Sequence, residues 1–214
     1  MKLENPMSVL VGCEFSGLVR DAFIAAGHGA LSCDLLPSEL PGPHYQGDVR
    51  DILNQKWDLI IAFPPCTDIC KGGARYWKEK QASGKQQEAI DFFMLFVNHP
   101  CSRICIENPV GAMSRDYRKN PWPGWSMQVI QPHWFGDKFT KTTCLWLKGL
   151  PLLMATKPML NGGEPYIPRK GKKAGRPNGS LWYQIEAPGK DRSKNRSRTF
   201  PGVAEAMAQQ WSKL

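Results

Sequence analysis

Apolar positions fall into short blocks separated by glycine, proline and charged residues, and the blocks alternate in period. Met7 to Val11 is a continuous apolar run ending in Gly12-Cys13-Glu14-Phe15-Ser16-Gly17. After it Val19, Ala22, Phe23 and Ala26 recur at helical spacing up to Gly27, which predicts strand, turn and helix. Gly29 to Cys33 reads as a second strand ending at Asp34, followed by a proline-rich loop from Leu35 to Pro43. Asp58 to Phe63 is apolar throughout and broken by Pro64-Pro65, the pattern of a strand buried on both faces. Gln86 to Val97 predicts a helix with Ala89, Ile90, Phe93, Leu95 and Phe96 on a broad apolar stripe, and Arg103 to Ile106 a strand ended by Glu107-Asn108-Pro109. Met127 to Ile130 and Thr142 to Leu147 are rich in β-formers, and Val203 to Trp211 predicts a closing helix. Strands alternating with helices imply a parallel sheet with right-handed crossovers, which binds ligands at the carboxyl ends of its strands.

Composition adds three constraints. With 214 residues, 42% hydrophobic and 22% charged, the chain has material for one α/β domain with a modest insertion. Nowhere does an apolar run approach the ~20 residues that a bilayer crossing needs, and Met1 to Pro6 lacks a signal-peptide core. A soluble, cytoplasmic protein without a membrane or an evident protein partner is therefore expected. Seven cysteines is an odd number, so reduced thiols are expected in preference to a disulfide framework. The pairs Cys66/Cys70 and Cys101/Cys105 lack the companions of a structural zinc site.

Charge is concentrated. Of the net +9, the stretch from Lys157 to Arg198 carries +8, from eleven basic and three acidic residues. Polyanions suit such a segment, since each neutralised phosphate releases condensed counterions, and the interleaved Trp182, Tyr183 and Phe200 are able to stack on bases. The alternative is a solvated tail that aids solubility. The expected organisation is a core over residues 1–156, a basic loop-rich segment over 157–198 and a closing helix over 199–214.

Candidate chemistry sits at the predicted strand ends. The Glu14-Phe15-Ser16-Gly17 turn lets a ligand approach the backbone. Asp34 stands where nucleoside-binding folds hold ribose hydroxyls, and Asp48 is placed to meet an adenine amino group. A helix cap or a solvated acid is the plainer reading of each. Phe63-Pro64-Pro65-Cys66-Thr67 is the sharpest feature: two prolines end a buried strand and set a thiol at the mouth of the sheet. A nearby helix N-terminus is expected to lower the pKa of Cys66 and favour the thiolate. Glu107 ends the following strand and points an acid at the same cleft. A nucleophilic thiol beside an acid is what addition to a pyrimidine ring requires.

In this order the motifs resemble the DNA cytosine-5 methyltransferase family. Cys13 to Leu18 is similar to its first turn, Asp34 and Asp48 to its ribose-side and adenine-side acids, Pro65-Cys66 through Gly73 to its Pro-Cys motif with the trailing loop, and Glu107-Asn108 to its Glu-Asn pair. Phe135 to Thr143, followed by the strand Cys144 to Leu147, is loosely similar to its Gln-x-Arg-x-Arg segment, with Phe139, Lys141 and Thr143 at the three named positions. The sequence departs from the family pattern at Phe15, where the family has a glycine, and at Thr67, where it has a glutamine.

The resemblance implies an α/β fold: a Rossmann-like S-adenosylmethionine-dependent methyltransferase sheet with helices on both faces and a small basic insertion. It further implies methyl transfer to C5 of cytosine in DNA, in a bacterial or phage-infected cell. Cys66, Glu107 and Lys141 would be catalytic, and Glu14, Phe15, Ser16, Gly17, Asp34, Asp48 and Pro64 would hold the S-adenosylmethionine cofactor. Lys170, Lys172, Lys173, Arg176, Arg192, Arg196 and Arg198 are the expected phosphate contacts. The same Cys66/Glu107 pair also suits an enzyme acting on a free cytosine nucleotide, or one transferring a modified one-carbon group. An exocyclic amino methyltransferase would need a polar residue and an aromatic flanking the prolines, where this chain has Phe63 and Cys66. A non-enzymatic DNA-binding protein would use the basic segment alone and leave Cys66/Glu107 unexplained.

Overall fold

The computed structural model describes residues 5–159 and 192–214. Seven strands form one sheet: β1 Ser8–Gly12, β2 Gly29–Asp34, β3 His44–Gln46, β4 Leu59–Ala62, β5 Ile104–Pro109, β6 Trp125–Ile130 and β7 Thr143–Lys148. Their order across the sheet is β3-β2-β1-β4-β5-β7-β6. The chain builds outward from β1 to β3, then crosses back to place β4 on the other side of β1, so the topological switch lies between β1 and β4.

One strand departs from the expected parallel arrangement. β7 runs antiparallel to both β5 and β6 and is inserted between them. The link from β6 to β7 contains only one short 3-10 turn, Pro132–Trp134, and lacks the crossover helix that a parallel return requires. This order with a single reversed strand is the Rossmann-like S-adenosylmethionine-dependent methyltransferase fold.

Alternation along the buried strands divides the core into two layers. Val9, Val11, Leu59, Ile61, Leu145 and Leu147 face Val19 and Phe23 of α1 Leu18–Ala25 and Val203, Met207 and Trp211 of the C-terminal helix Pro201–Trp211. On the opposite face Leu10, Ile60, Ile104, Ile106 and Trp146 meet Phe93, Phe96 and Val97 of the helix Lys85–Val97. Both faces are thereby covered by helices, as continuous apolar strands demand. Among the described residues, no helix is long and apolar enough to cross a membrane.

Several elements carry little apolar signal and escape sequence reading. They are the short strand β3, the four-residue helix Arg50–Leu53, the 3-10 turn Lys71–Tyr76 that leads into the helix Trp77–Ala82, and the helix Ala112–Lys119.

A buried arginine fixes the proline-rich loop between β2 and β3. Arg20 is fully buried; its Nη1 donates to Ser32 Oγ at 3.1 Å and Ser38 Oγ at 3.0 Å, and its Nη2 to the carbonyls of Leu40 at 3.1 Å and Pro41 at 3.2 Å. Its Nε pairs with Asp21 at 2.7 Å. Two glycines make room for the guanidinium: a Cβ at Gly17 would lie 2.5 Å, and one at Gly42 2.8 Å, from its atoms. A buried charge is tolerated when its donors are this fully engaged.

Candidate active site

The first candidate group lies at the carboxyl ends of β1 and β2. Glu14 follows β1 and is almost completely buried; one carboxylate oxygen accepts from Ser16 Oγ, and the other has no partner among the described residues. Burial raises the Glu14 pKa, and the Ser16 hydrogen bond opposes the shift. Phe15 and Ser16 are buried as well, and Gly17 takes a left-handed φ of 80° to open α1. Asp34 ends β2 half-buried, with one oxygen accepting from the Leu36 N–H at 2.9 Å; desolvation raises its pKa.

These positions suit a nucleoside cofactor with an amino group. A buried carboxylate oxygen without a partner is expensive unless a donor meets it, and Glu14 offers such an oxygen beside the strand end. Asp48 is placed differently. Both of its oxygens are engaged by Arg50, through the N–H at 2.9 Å and the guanidinium at 3.1 Å, so it acts at the start of the helix Arg50–Leu53. For Asp48 the helix-terminus alternative describes what the geometry holds.

The second group lies at the ends of β4 and β5. Phe63 continues β4 by donating its N–H to the Gly12 carbonyl at 2.9 Å, and buried Asn108 donates Nδ2–H to the Pro64 carbonyl at 2.7 Å. Asn108 thus ties the Pro64-Pro65-Cys66 turn to the neighbouring strand. Pro64 is buried and Pro65 exposed, with Cys66 between burial and exposure. Glu107 on β5 and Lys141 just before β7 approach to 4.0 Å, with 16% and 13% of their side chains exposed. Lys141 Nζ also donates to the Arg196 carbonyl at 3.5 Å and lies 5.7 Å from the Phe200 ring centre.

Burial pushes the Glu107 pKa above the usual carboxylate value; the Lys141 charge and then Thr143 pull it back. Beside this pair lies a shallow, partly open pocket whose lining includes Phe63, Glu107, Ile130, Lys141, Thr143 and Phe200.

The expectation of a lowered Cys66 pKa is overturned. Its thiol is pushed well up by a hydrogen bond with Cys70, then by burial and by the neighbouring Cys70 and Glu107 charges, against a lowering by Lys141. The turn that follows is closed by its own backbone, with the Cys70 N–H donating to the Cys66 carbonyl at 2.9 Å and the Gly73 N–H to the Cys70 carbonyl at 3.2 Å. Sequence reading noted the Cys66/Cys70 spacing only as a metal-ligand pattern and missed the contact between the thiols.

The expected phosphate contacts divide three ways. Lys170, Lys172, Lys173 and Arg176 lie outside the described residues, as does most of the basic segment. Arg192 and Arg196 belong to the helix Arg192–Ser197, where the Arg196 carbonyl holds Lys141. Arg198 pairs with Glu39 through two hydrogen bonds of 2.7 Å, with Lys194 3.5 Å from the same carboxylate. No sequence signal marked Glu39, because its partner is distant in the chain.

No protein-family model and no curated protein sequence matches the chain. The solved structures to which it is similar include three methyltransferases. A prophage-encoded protein of Escherichia coli, assigned as a DNA modification methyltransferase, is 16% identical, with 72% of this chain and 52% of that chain covered and a TM-score of 0.46. The Entamoeba histolytica methyltransferase EhMeth is 13% identical, with 73% and 58% covered and a TM-score of 0.48. The Schizosaccharomyces pombe methyltransferase Dnmt2 is 15% identical, with 89% and 62% covered and a TM-score of 0.46. The chain spans between half and two thirds of the length of these structures.

Proposed function

We propose that this protein transfers a methyl group from S-adenosylmethionine to C5 of cytosine in DNA through a transient bond between Cys66 and C6 of the base. The observation that carries the reading is that Cys66 after β4, Glu107 on β5 and Lys141 just before the reversed β7 share one edge of the sheet, near enough for both charges to act on the Cys66 thiol. Cytosine C5 is a poor nucleophile until a group adds at C6. Cys66 supplies that group, and Glu107 protonates N3 to absorb the charge that develops. A buried acid with a raised pKa retains its proton nearer neutrality, which suits this role. Lys141, 4.0 Å away, draws the Glu107 pKa back down and stands ready to hold the base or its phosphate.

Glu14 would take the cofactor's amino group and Asp34 its ribose hydroxyls. The bound cofactor supplies an electrophilic methyl. Once C5 is methylated, loss of its proton and departure of Cys66 restore the aromatic ring. Reaching C6 requires the base to leave the stack, at a cost of a few kcal/mol that phosphate contacts from the basic segment would offset.

The test is mechanism-based trapping. DNA containing 5-fluorocytosine, incubated with the protein and S-adenosylmethionine, should form a denaturation-resistant adduct that Cys66→Ala abolishes. Absence of an adduct, or one that survives in Cys66→Ala, overturns the reading.

A further inference from the structure

Addition to C6 requires the Cys66 sulfur to approach the carbon along one direction, and a misplacement of about 1 Å costs on the order of 100-fold in rate. Upstream of Cys66, strand β4 and the Asn108 bond to the Pro64 carbonyl fix the path of the chain. Downstream the chain leaves regular structure, and of the four residues from Thr67 to Cys70 Ile69 alone is buried.

Hydrogen bonds to the backbone supply the rest of the restraint. Four successive carbonyls each meet a donor from a different element. The Cys66 carbonyl accepts from the Cys70 N–H of its own turn at 2.9 Å, and the Thr67 carbonyl from Lys80 Nζ of the helix Trp77–Ala82 at 2.6 Å. The Asp68 carbonyl accepts from Gln86 Nε2 of the helix Lys85–Val97 at 3.2 Å, and the Ile69 carbonyl from the Ala112 N–H at the start of the helix Ala112–Lys119 at 2.7 Å.

Lys80 differs from the other donors in carrying a charge and in holding two residues at once. Its Nζ also pairs with the Asp68 carboxylate at 2.9 Å, and 17% of its side chain is exposed. An exposed ion pair alone contributes little, but a charge-assisted bond to a backbone carbonyl fixes the chain itself. Thr67 is exposed, and among the described residues Lys80 is its one hydrogen-bond partner. Gly73 lies over this contact, where a Cβ would stand 3.4 Å from both Lys80 Nζ and the Thr67 carbonyl oxygen.

We propose that Lys80 is a positioning residue for methyl transfer: it clamps the Thr67-Asp68 turn so that the Cys66 thiol is presented to the base in one place. Its hydrogen bonds go to the turn and not to the thiol, so it acts through the backbone. The inference rests on the methyl-transfer reading in taking Cys66 as the nucleophile; the clamp itself is a property of the fold.

The test uses the full chain. Lys80→Met keeps the apolar stem and removes the ammonium. At saturating 5-fluorocytosine DNA and S-adenosylmethionine, adduct formation by Lys80→Met should slow roughly 10- to 100-fold, while DNA affinity read by anisotropy is retained. Lys80→Arg, which keeps a cation able to bridge both acceptors, should recover most of the rate. Hydrogen–deuterium exchange of the Ile69 to Lys71 amides should be roughly tenfold faster in Lys80→Met, since loss of the clamp lets the turn open locally.

A wild-type adduct rate in folded Lys80→Met overturns the proposal. So does a loss confined to DNA affinity, which would make Lys80 a phosphate contact. If the wild type itself forms no adduct, the methyl-transfer reading fails and exchange decides the clamp: unchanged exchange in Lys80→Met overturns it, and faster exchange leaves it standing. If Lys80→Met does not fold, Asp68→Asn removes the charge that holds Nζ in place and should slow adduct formation in the same direction, a wild-type rate there overturning the proposal.

Discussion

Arg198 closes on Glu39 with two hydrogen bonds of 2.7 Å, joining residues 159 apart in sequence. The contact ties the C-terminal segment to the β2–β3 loop, and the Glu39 N–H in turn donates to the Phe15 carbonyl at 2.8 Å. Lys194 shares the carboxylate and lies 5.3 Å from the Phe15 ring centre. Glu39 is held below the usual carboxylate range by the Arg198 hydrogen bond, so it stays ionised across the neutral range. If this end of the cleft receives DNA, Glu39 competes with phosphate for the two cations. Glu39→Gln should therefore raise DNA affinity at low salt and steepen its salt dependence by about 0.9 units of log K per log salt for each further phosphate neutralised. Fluorescence anisotropy across a salt series reads this, and an unchanged slope would place the two cations away from the phosphates.

Glu107 and Lys141 give a directional pH prediction. Activity that needs protonated Glu107 is lost as pH rises through its pKa. Lys141 lowers that pKa, so Lys141→Met should shift the alkaline limb of the rate profile to higher pH while weakening overall turnover. Glu107→Gln, which keeps size but removes the titrating acid, should cut turnover by a factor of roughly 100 to 10,000 with DNA binding retained. Collapse of binding, with methylation per bound complex intact, would make Glu107 a structural residue.

The proposed placement of the cofactor's ribose on Asp34 is open to a direct binding test. Asp34→Ala should weaken S-adenosylmethionine binding by about 1 to 3 kcal/mol, the range for lost hydrogen bonds. Calorimetry on the folded variant measures it. Asp48→Ala should have the smaller effect, because its carboxylate is already engaged by Arg50. Equal losses from the two variants would contradict that distinction.

Asp137 offers a stability test independent of catalysis. Its carboxylate accepts from the Gly202 N–H at 3.2 Å in the first turn of the C-terminal helix, and burial raises its pKa from 3.8 to about 6. An acid with a raised folded-state pKa binds more protons folded than unfolded, so its contribution to stability falls as pH rises from about 3.8 to about 6. Asp137→Asn retains an acceptor but cannot ionise. Thermal melts of the variant should lose that part of the pH dependence and show a melting temperature at neutral pH equal to or above the wild type. A variant with an undiminished decline over this window would assign the effect to another group.

The buried parallel strands were legible because β1 and β4 are continuous apolar runs, and the helix Lys85–Val97 because its apolar residues repeat along one stripe. β3 was not, since His44, Tyr45 and Gln46 carry no apolar pattern and the strand is defined by pairing with β2 alone. The reversal of β7 was hidden because Thr143 to Lys148 is equally strand-like in either direction, and only the missing crossover helix decides it. At the candidate site, sequence order marked Cys66 and Glu107 as strand-end residues. It could not show that Lys141 comes within 4.0 Å of Glu107, or that Glu39 reaches Arg198, because both depend on how the chain folds back on itself.

The buried Arg20 couples three positions that lie apart in the chain. A side chain at Gly17 or Gly42 must displace the guanidinium, and loss of the guanidinium leaves the Pro41 carbonyl without its donor and the Leu40 carbonyl with Ser38 Oγ alone. Arg20, Gly17 and Gly42 therefore form a single heritable unit. A chimera that imports the β2–β3 loop from another protein of this fold must import its own anchor beneath that loop, or keep all three residues together.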